Sequence, residues 1–244
     1  MPSPLNIGVL LLPGTQLLDL SCIDLLSMTD PTYLSACNLP QTLIHLGHST
    51  QIHYIGLGGT GTLTPLTSNI NMQLTASPTD SHVSPGTLNA LLIPGTDPNV
   101  VPDAAYLDFI RWHHAHGTHI LSVCTGSFVL GHAGILAGKV CTGPRLLVPL
   151  LRARFPEAKE WVQSVRVVRD GNIWTSGAIT NGHDLIMQYL ATIASAPLVN
   201  AISIMADLPA RLVEYETSVA GDTTHFVWQI IRAVPSMLYW GFGK

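Results

Sequence analysis

The chain has 244 residues, of which 47% are hydrophobic and only 11% are charged, and its net charge is −4. So few charges favour a large core, a sizeable subunit interface, or both. Without a basic run there is no electrostatic reason to expect nucleic-acid binding. The apolar runs are short and broken, so we expect no transmembrane helix and no membrane partner. The N-terminus lacks the basic start of a signal peptide.

The first two thirds of the chain alternate between predicted strands and helices. Continuous apolar runs predict strands at 6–12, 51–57, 88–95 and 119–123. Helical spacing of apolar residues predicts helices over 16–28, 104–116 and 127–138, with Gly117 and Gly138 as stops.

The later part of the chain predicts a hairpin and then helices. Residues 162–177 indicate two strands around Asp170-Gly171, and 182–195 and 197–208 indicate two helices. Strands that alternate with helices predict an α/β fold, a mostly parallel sheet sandwiched by helices. We expect one domain over 1–244, with an apolar C-terminal helical extension from about residue 197. The final aromatic stretch could pack on the core, line a pocket or join a dimer interface.

A glycine-rich motif follows the second predicted strand. Residues 56–61, GLGGTG, match the G-x-G-x-x-G pattern of dinucleotide-binding proteins. That motif requires a helix directly afterwards, whose N-terminus meets the pyrophosphate. The sequence TLTPLTSNINM follows instead, and Pro65 makes a helix start there unfavourable. We therefore predict a glycine-rich turn.

Four cysteines, at positions 22, 37, 124 and 141, show neither metal-binding nor disulfide spacing. This pattern predicts reduced thiols in an intracellular, cytoplasmic protein. Because free cysteine is among the most buried residue types, we expect Cys22, Cys37 and Cys141 to be inert core residues.

Cys124 differs, because it lies where the strand 119–123 turns directly into a helix, in the stretch SVCTGSFVL. Such a turn, a nucleophile elbow, exposes the corner residue above the sheet. The N–H groups of the helix N-terminus favour a thiolate, so we expect a lowered pKa. Thr125 can donate a hydrogen bond, and Gly126 permits a close approach. The alternative is that Cys124 is a small buried core residue.

Four separated stretches resemble the ThiJ/PfpI superfamily, which has the flavodoxin-like, class I glutamine amidotransferase-like fold. They span about residues 5–195 and read IGVLLLPGTQLLDL, LNALLIPGTD, SVCTGSFVLGHAGILAGK and IWTSGAITNGHDLIM. Within this superfamily the chain is most similar to the isocyanide hydratases. Many relatives have a histidine after the cysteine and a glutamate near the first helix, whereas this chain has Thr125 and Asp19.

The resemblance implies a cysteine-dependent reaction without a cofactor or a metal. Cys124 would be the nucleophile, Asp19 the general acid and base, and Thr125 would position substrate or stabilise the adduct. Backbone N–H groups at Gly95 and Thr125 would face the developing charge. The reaction would convert an isocyanide into an N-substituted formamide through a thioimidate on Cys124. The resemblance also implies a small-molecule substrate and a homodimer.

Alternatives remain for the two acidic residues of the first helical stretch. Asp19 could instead cap a helix or complement its dipole without any catalytic role. Asp24 is a weaker candidate, and we expect it to be a surface acid.

Several pocket residues depart from the superfamily pattern or have a second interpretation. Thr96 places a side chain where relatives have a glycine, and Arg145 lies where they have a His-Trp pair. Arg145 could meet an anionic or carbonyl-bearing substrate, or lie on the surface. Thr180 belongs to a segment that lies near the site in relatives. His183 could reach the pocket or cap its helix.

The other histidines predict no metal site. His113, His114 and His116 do not share one helix face, so we expect a solvated surface there. We expect His132 to be a packing residue.

Three functions are consistent with these residues. The first is an isocyanide hydratase. The second is another reaction that depends on cysteine and aspartate, in which an isomerase, lyase or glyoxalase-like enzyme acts on a larger carbonyl-bearing molecule. A wide apolar pocket lined by residues 225–240 would favour this second function. The third is a non-enzymatic binding protein or thiol-based sensor, and the fold alone does not choose among them.

Overall fold

The computed structural model describes residues 2–241, with side chains for residues 2–233. In that range, no helix combines the length and the apolar character needed to cross a membrane. Residues 2–241 contain ten strands: β1 Leu5–Leu10, β2 Thr50–Ile55, β3 Leu63–Pro65, β4 Asn71–Gln73, β5 Ala90–Ile93, β6 His119–Ser122, β7 Val140–Cys141, β8 Glu160–Trp161, β9 Val167–Asp170 and β10 Ile173–Ser176.

Ten α-helices surround or follow these strands, and several are single turns. They are α1 Leu17–Leu20, α2 Asp24–Ser27, α3 Pro31–Ala36, α4 Gln41–Ile44, α5 Ala104–Ala115, α6 Gly126–His132, α7 Val148–Arg154, α8 Asn181–Ile193, α9 Ala196–Met205 and α10 Val219–Gly241. The helix α5 is capped at both ends. The Asp103 carboxylate accepts a hydrogen bond from the Ala105 N–H at its start, and Gly117, the predicted stop, follows its end with φ 83°.

The central sheet has six strands in the order β2-β1-β5-β6-β10-β9. All neighbouring pairs are parallel except β9 and β10, which are antiparallel. In the sheet, β2 lies on one side of β1, whereas β5 and then β6 lie on its other side. The strand order therefore reverses between β1 and β5. In such sheets ligands bind outside the carboxyl ends of the strands at this switch point. The predicted α/β fold is confirmed.

Two apolar cores lie on opposite faces of this sheet. In β1, Ile7 and Val9 belong to the core under α8 and α9, whereas Leu10 belongs to the core under α5 and α6. All three side chains are fully buried. Because successive strand residues point to opposite faces, a strand covered on both sides is expected to be apolar, and β1 is apolar from Ile7 to Leu10.

The hairpin prediction is confirmed, with one change of boundary. Ile173 pairs with Asp170, so the turn consists of Gly171 and Asn172, with Gly171 at φ 66°. The first strand begins at Val167 instead of residue 162. Residues 160–161 form β8 and pair with β7 in a separate two-stranded sheet.

Three further expectations require correction. The helix predicted over 127–138 ends at His132, because Gly134 adopts a left-handed conformation with φ 73°. His113 does not lie on a solvated face: α5 packs it into the core, where its ring bonds to the Val83 carbonyl and the Thr118 hydroxyl. Cys37 is exposed, whereas Cys22 and Cys141 are buried as expected.

Three other local predictions are confirmed. The glycine-rich residues 56–61 form a turn between β2 and β3, with Gly59 and Gly61 at positive φ. Asp24 is exposed. The His132 ring packs edge-on against the Phe155 ring, with centroids 5.1 Å apart.

The C-terminal stretch contains α9 and α10, and residues 206–218 between them form no helix. In the described part of α10, the apolar side chains Phe226, Trp228 and Ile230 are each about half exposed, at 54–55%. The final aromatic stretch was predicted to pack on the core, line a pocket or join a dimer interface. This prediction also involves the side chains of residues 234–244, which lie outside the described part of the structure.

Replacing Gly126 by alanine should lower the free energy of unfolding by about 1–3 kcal/mol. A Cβ there would collide with the Ile93 carbonyl of β5 and lie 3.0 Å from the Ser122 hydroxyl. Gly221 of α10 is the matched control, since its Cβ would meet the Ser218 hydroxyl at 3.1 Å and alanine favours a helix by about 1 kcal/mol. Urea denaturation measures both, and equal losses would contradict the close packing of α6 on β5.

Candidate active site

Cys124 occupies the corner between β6 and α6, at the carboxyl edge of the sheet. Its φ is 55°, a left-handed conformation that is rare for a residue with a side chain. Its N–H donates to the Gly177 carbonyl at 3.0 Å, and the Thr125 hydroxyl donates to the Thr96 carbonyl at 2.7 Å. The corner is therefore fixed by the loops after β10 and β5, and its geometry is that of a nucleophile elbow.

Asp19 reaches this corner from α1, the short helix after β1. The Gln16 N–H, just before α1, donates to the Gly95 carbonyl at 2.8 Å. In return, the Gly95 N–H donates to Asp19 Oδ2 at 2.8 Å. The Asp19 side chain is fully buried, and its Oδ1 has no hydrogen-bond partner among the described residues. The hydrogen bonds of Gly95 with Gln16 and Asp19 thus hold the Asp19 carboxyl group in the protein interior. Of its two oxygens, Oδ2 is hydrogen-bonded and Oδ1 is not, as far as the described residues go.

Gly95 can only be a glycine in this arrangement. A Cβ there would lie 2.5 Å from both Asp19 Oδ2 and Thr125 Oγ1. The missing side chain lets the carboxyl group and the hydroxyl approach the same backbone. The expectation that the Gly95 N–H faces substrate is wrong, because that N–H is bonded to Asp19.

Burial controls the charge of both Asp19 and Cys124. It raises the pKa of Asp19 from 3.8 to about 6, against the opposing bond from Gly95. Burial and then the Asp19 charge raise the pKa of the Cys124 thiol from 9.0 to about 11. The expected lowering of the thiol pKa is therefore wrong. The Ile179 and Thr125 N–H groups do bond to the sulfur and lower its pKa, but their effect is smaller.

A cavity of about 380 Å³ opens beside Cys124. It is lined by Gly14, Gln16, Thr67, Thr96, Asp97, Pro98, Cys124, Thr125 and Ile179. Sequence analysis identified Thr96, Cys124 and Thr125, and missed the others. Gln16 could have been found, since it stands three residues before Asp19. Asp19 itself lies behind this wall, and none of residues 225–233 lines the cavity.

Four residues that were predicted near the substrate do not line this cavity: Gly126, Arg145, Thr180 and His183. Gly126 is buried beneath the corner against β5. The Thr180 carbonyl accepts from Arg211 at 2.8 Å. The His183 ring is 3.3 Å from the Ser21 hydroxyl.

Arg145 is also turned away from the cavity. Its guanidinium is occupied by Thr217 and Asp222 of the C-terminal segment. The residue of this segment that acts on the Cys124 thiol is Ile179, and not its predicted neighbour Thr180. The donor is a backbone N–H, which a residue of almost any type can supply.

Replacing Asp19 by asparagine should stabilise the protein at neutral pH. The folded-state pKa of about 6 exceeds the ordinary 3.8, so the stability associated with protonated Asp19 is present below pH 3.8 and is lost as pH rises through about 6. Asparagine keeps an acceptor for Gly95 without the buried charge. We expect the free energy of unfolding to rise by about 1–3 kcal/mol at pH 7.5 and to change little at pH 4.

Chemical denaturation at the two pH values measures this effect. Asp24→Asn, at an exposed position, is the matched control and should leave stability unchanged. An Asp19→Asn protein that is less stable than the wild type at pH 7.5 would contradict the buried charge.

Comparisons with known proteins agree with this fold. A model of the DJ-1/PfpI family matches residues 40–192. A Pseudomonas putida protein named isonitrile hydratase is 36% identical over 201 residues, which cover 80% of this chain and 76% of that protein.

Solved structures show the same fold at lower identity. A ThiJ/PfpI family protein from Pseudomonas syringae superposes with a TM-score of 0.70 at 20% identity, over 95% of this chain and 88% of that one. Drosophila melanogaster DJ-1beta superposes with a TM-score of 0.67 at 17% identity, over 85% of this chain and 100% of that one. The family match, the relative and the elbow agree, and the chain belongs to the DJ-1/PfpI family.

Proposed function

We propose that this chain hydrates an isocyanide to an N-substituted formamide, with Cys124 as the nucleophile and Asp19 as the acid and base. The observation that carries the proposal is the buried Asp19 carboxyl, which has one oxygen bonded to Gly95 and the other without a hydrogen-bond partner in the described part of the chain. A buried unpartnered acceptor is costly to folding. Its charge acts on the Cys124 sulfur, so the two groups form a pair suited to proton exchange. The similarity to a protein named isonitrile hydratase supports the substrate class.

In the first half-reaction, the thiol adds to the terminal carbon of the isocyanide, so that both the sulfur and the hydrogen become bonded to this carbon. Near neutral pH, the pKa values of about 6 and about 11 leave one proton on the pair, on the sulfur. Asp19 takes this proton while the sulfur forms a bond to the terminal carbon, and then gives it to that carbon. The product is a thioimidate on Cys124, and Asp19 is again a carboxylate. Attachment to the sulfur brings the carbon within reach of an acid that lies behind the cavity wall.

In the second half-reaction, water replaces the sulfur. Asp19 takes one proton from the water as its oxygen bonds to the thioimidate carbon. The second water proton passes to the substrate nitrogen, the carbon–sulfur bond breaks, and the sulfur recovers its proton from Asp19. The products are the N-substituted formamide and the starting thiol and carboxylate. Dividing the hydration in this way replaces one difficult step with two easier ones.

The raised thiol pKa argues against a thiol-based sensor as the alternative. Sensor cysteines are accessible and have low pKa values, because the thiolate is the form that oxidants attack. Burial and the Asp19 charge have the opposite effect on Cys124. A larger carbonyl-bearing substrate has no specific support either, since the described part of residues 225–240 does not line the cavity.

Incubation with a simple alkyl and a simple aryl isocyanide tests the proposal. Formamide, measured by mass spectrometry or NMR, should form with the wild type and with Cys37→Ala, the matched control at an exposed cysteine. Cys124→Ala should be inactive, and Asp19→Asn should lose about 10²–10⁴-fold in kcat, the range for a proton-transfer group. Formamide production by Cys124→Ala at the wild-type rate, or none by the folded wild type, would overturn the proposed function.

A further inference from the structure

The turn of residues 177–181 contacts Cys124 at two points. The Gly177 carbonyl accepts the Cys124 N–H at 3.0 Å, and Ile179 lies beside Cys124 in the wall of the cavity, where its N–H lowers the pKa of the thiol. The first contact fixes the left-handed backbone of the corner. The second stabilises the thiolate, because a hydrogen bond to the charged form favours that form. Whatever holds this turn in place therefore controls the thiol.

Tyr215 holds the turn from outside the central sheet. Its phenol oxygen accepts a bond from the Asn181 side chain at 2.5 Å, and Asn181 is the first residue of α8 and is buried. A Cβ on Gly177 would collide with both the Tyr215 oxygen and the Asn181 amide. The phenol thus lies directly against the turn, at the residue whose carbonyl holds Cys124.

Tyr215 is itself firmly fixed. Its N–H donates to the Ser164 carbonyl at 2.9 Å, and the Arg166 N–H donates to the Val213 carbonyl at 2.7 Å. The chain around Tyr215 therefore pairs with the segment before β9 in an antiparallel bridge. The guanidinium groups of Arg145 and Arg166 each lie 4.4 Å from the centre of the Tyr215 ring. Such cation–π contacts immobilise the ring.

Arg145 continues this anchoring along the chain. Besides contacting the Tyr215 ring, it bonds to the Thr217 carbonyl and hydroxyl and to the Asp222 carboxylate at the start of α10. The Arg145 N–H at Nε also donates to the Gln163 carbonyl at 3.1 Å. Residues 213–222, which we call the C-terminal strap, are therefore tied to the body of the protein on both sides of Tyr215.

We propose that Tyr215 is a positioning residue for Cys124, which acts through Asn181 and the 177–181 turn to aim the Ile179 N–H at the sulfur. The expected effect of Tyr215 on turnover rests on the proposed function. Its effect on the thiol exists whether or not the substrate is an isocyanide.

Thiol titration of Tyr215→Phe tests the proposal, since phenylalanine keeps the ring between the two guanidinium groups and removes only the hydroxyl. The full chain is used in a Cys37→Ser background, because Cys37 is exposed and would also react. Iodoacetamide labelling of Cys124 is followed by mass spectrometry between pH 8 and 10. We expect labelling in Tyr215→Phe to be about three- to tenfold slower at each pH, the effect of weakening one hydrogen bond to the thiolate.

Two further measurements separate positioning from a general loss of structure. Amide hydrogen exchange at Ile179 should become faster in Tyr215→Phe, whereas Cys22 and Cys141 should stay unlabelled, as buried thiols in a folded protein. In the formamide assay, kcat should fall with KM unchanged. Tyr33→Phe, at an exposed tyrosine, is the matched control and should behave as the wild type in all assays.

Identical labelling rates and identical Ile179 exchange in Tyr215→Phe and Tyr33→Phe would overturn the positioning role. Slower labelling in a protein whose wild type produces no formamide would refute the proposed function and leave the role of Tyr215 standing. The two failures are therefore distinguishable.

Discussion

A carboxyl group buried beside a thiol is the interaction on which the rest of the site depends. Asp19 is fully removed from solvent, and within residues 2–233 its carboxyl group accepts one hydrogen bond, from the Gly95 N–H. Its burial raises its own pKa, and its charge adds to burial in raising that of Cys124. Neither group has the ionisation of a free side chain, and the pair holds one proton over a broad range around neutral pH. In the proposed reaction, this is the proton that Asp19 transfers to the substrate carbon.

The fold brings this pair together at the switch point of the sheet. Asp19 follows β1, Gly95 follows β5 and Cys124 follows β6, and these three strands are neighbours in the sheet. Close contact among the three loops requires positions without side chains. Gly95 lets Asp19 and Thr125 meet over its backbone, and Gly126 lets α6 start against the Ile93 carbonyl. The neighbour of β6 on its other side in the sheet is β10, and the turn after β10 fixes Cys124 from that side.

The scaffold and the position of Cys124 were predictable from patterns in the sequence, whereas Asp19 was identified through the resemblance of four stretches to a known superfamily. Apolar runs located the strands, and the direct passage from a strand to a helix located Cys124. The protonation of the thiol was not predictable, because the helix N-terminus and burial act in opposite directions and their balance depends on how deeply Asp19 is enclosed. His113 was misjudged for a related reason: helical spacing identifies faces, but does not show which face α5 turns to the core.

Backbone donors were the other feature that the sequence did not reveal. Ile179 bonds to the sulfur through its N–H, a contact that leaves no trace in residue type, whereas the polar neighbour Thr180 attracted attention and bonds to Arg211. Arg145 was an attractive substrate-binding candidate as a rare cation. The contacts that it makes with Thr217 and Asp222 involve partners more than 70 positions away in the chain.

The coupling between Asp19 and Cys124 is tested most directly by the pH dependence of Cys124 alkylation with and without the carboxylate. In a Cys37→Ser background, Asp19→Asn removes the charge that raises the pKa of the thiol and keeps the acceptor for Gly95. The account predicts that Cys124 is alkylated faster in Asp19→Asn than in the wild type at pH 8, with a lower pKa for the thiol. Equal rates and an equal pKa in the two proteins would contradict it.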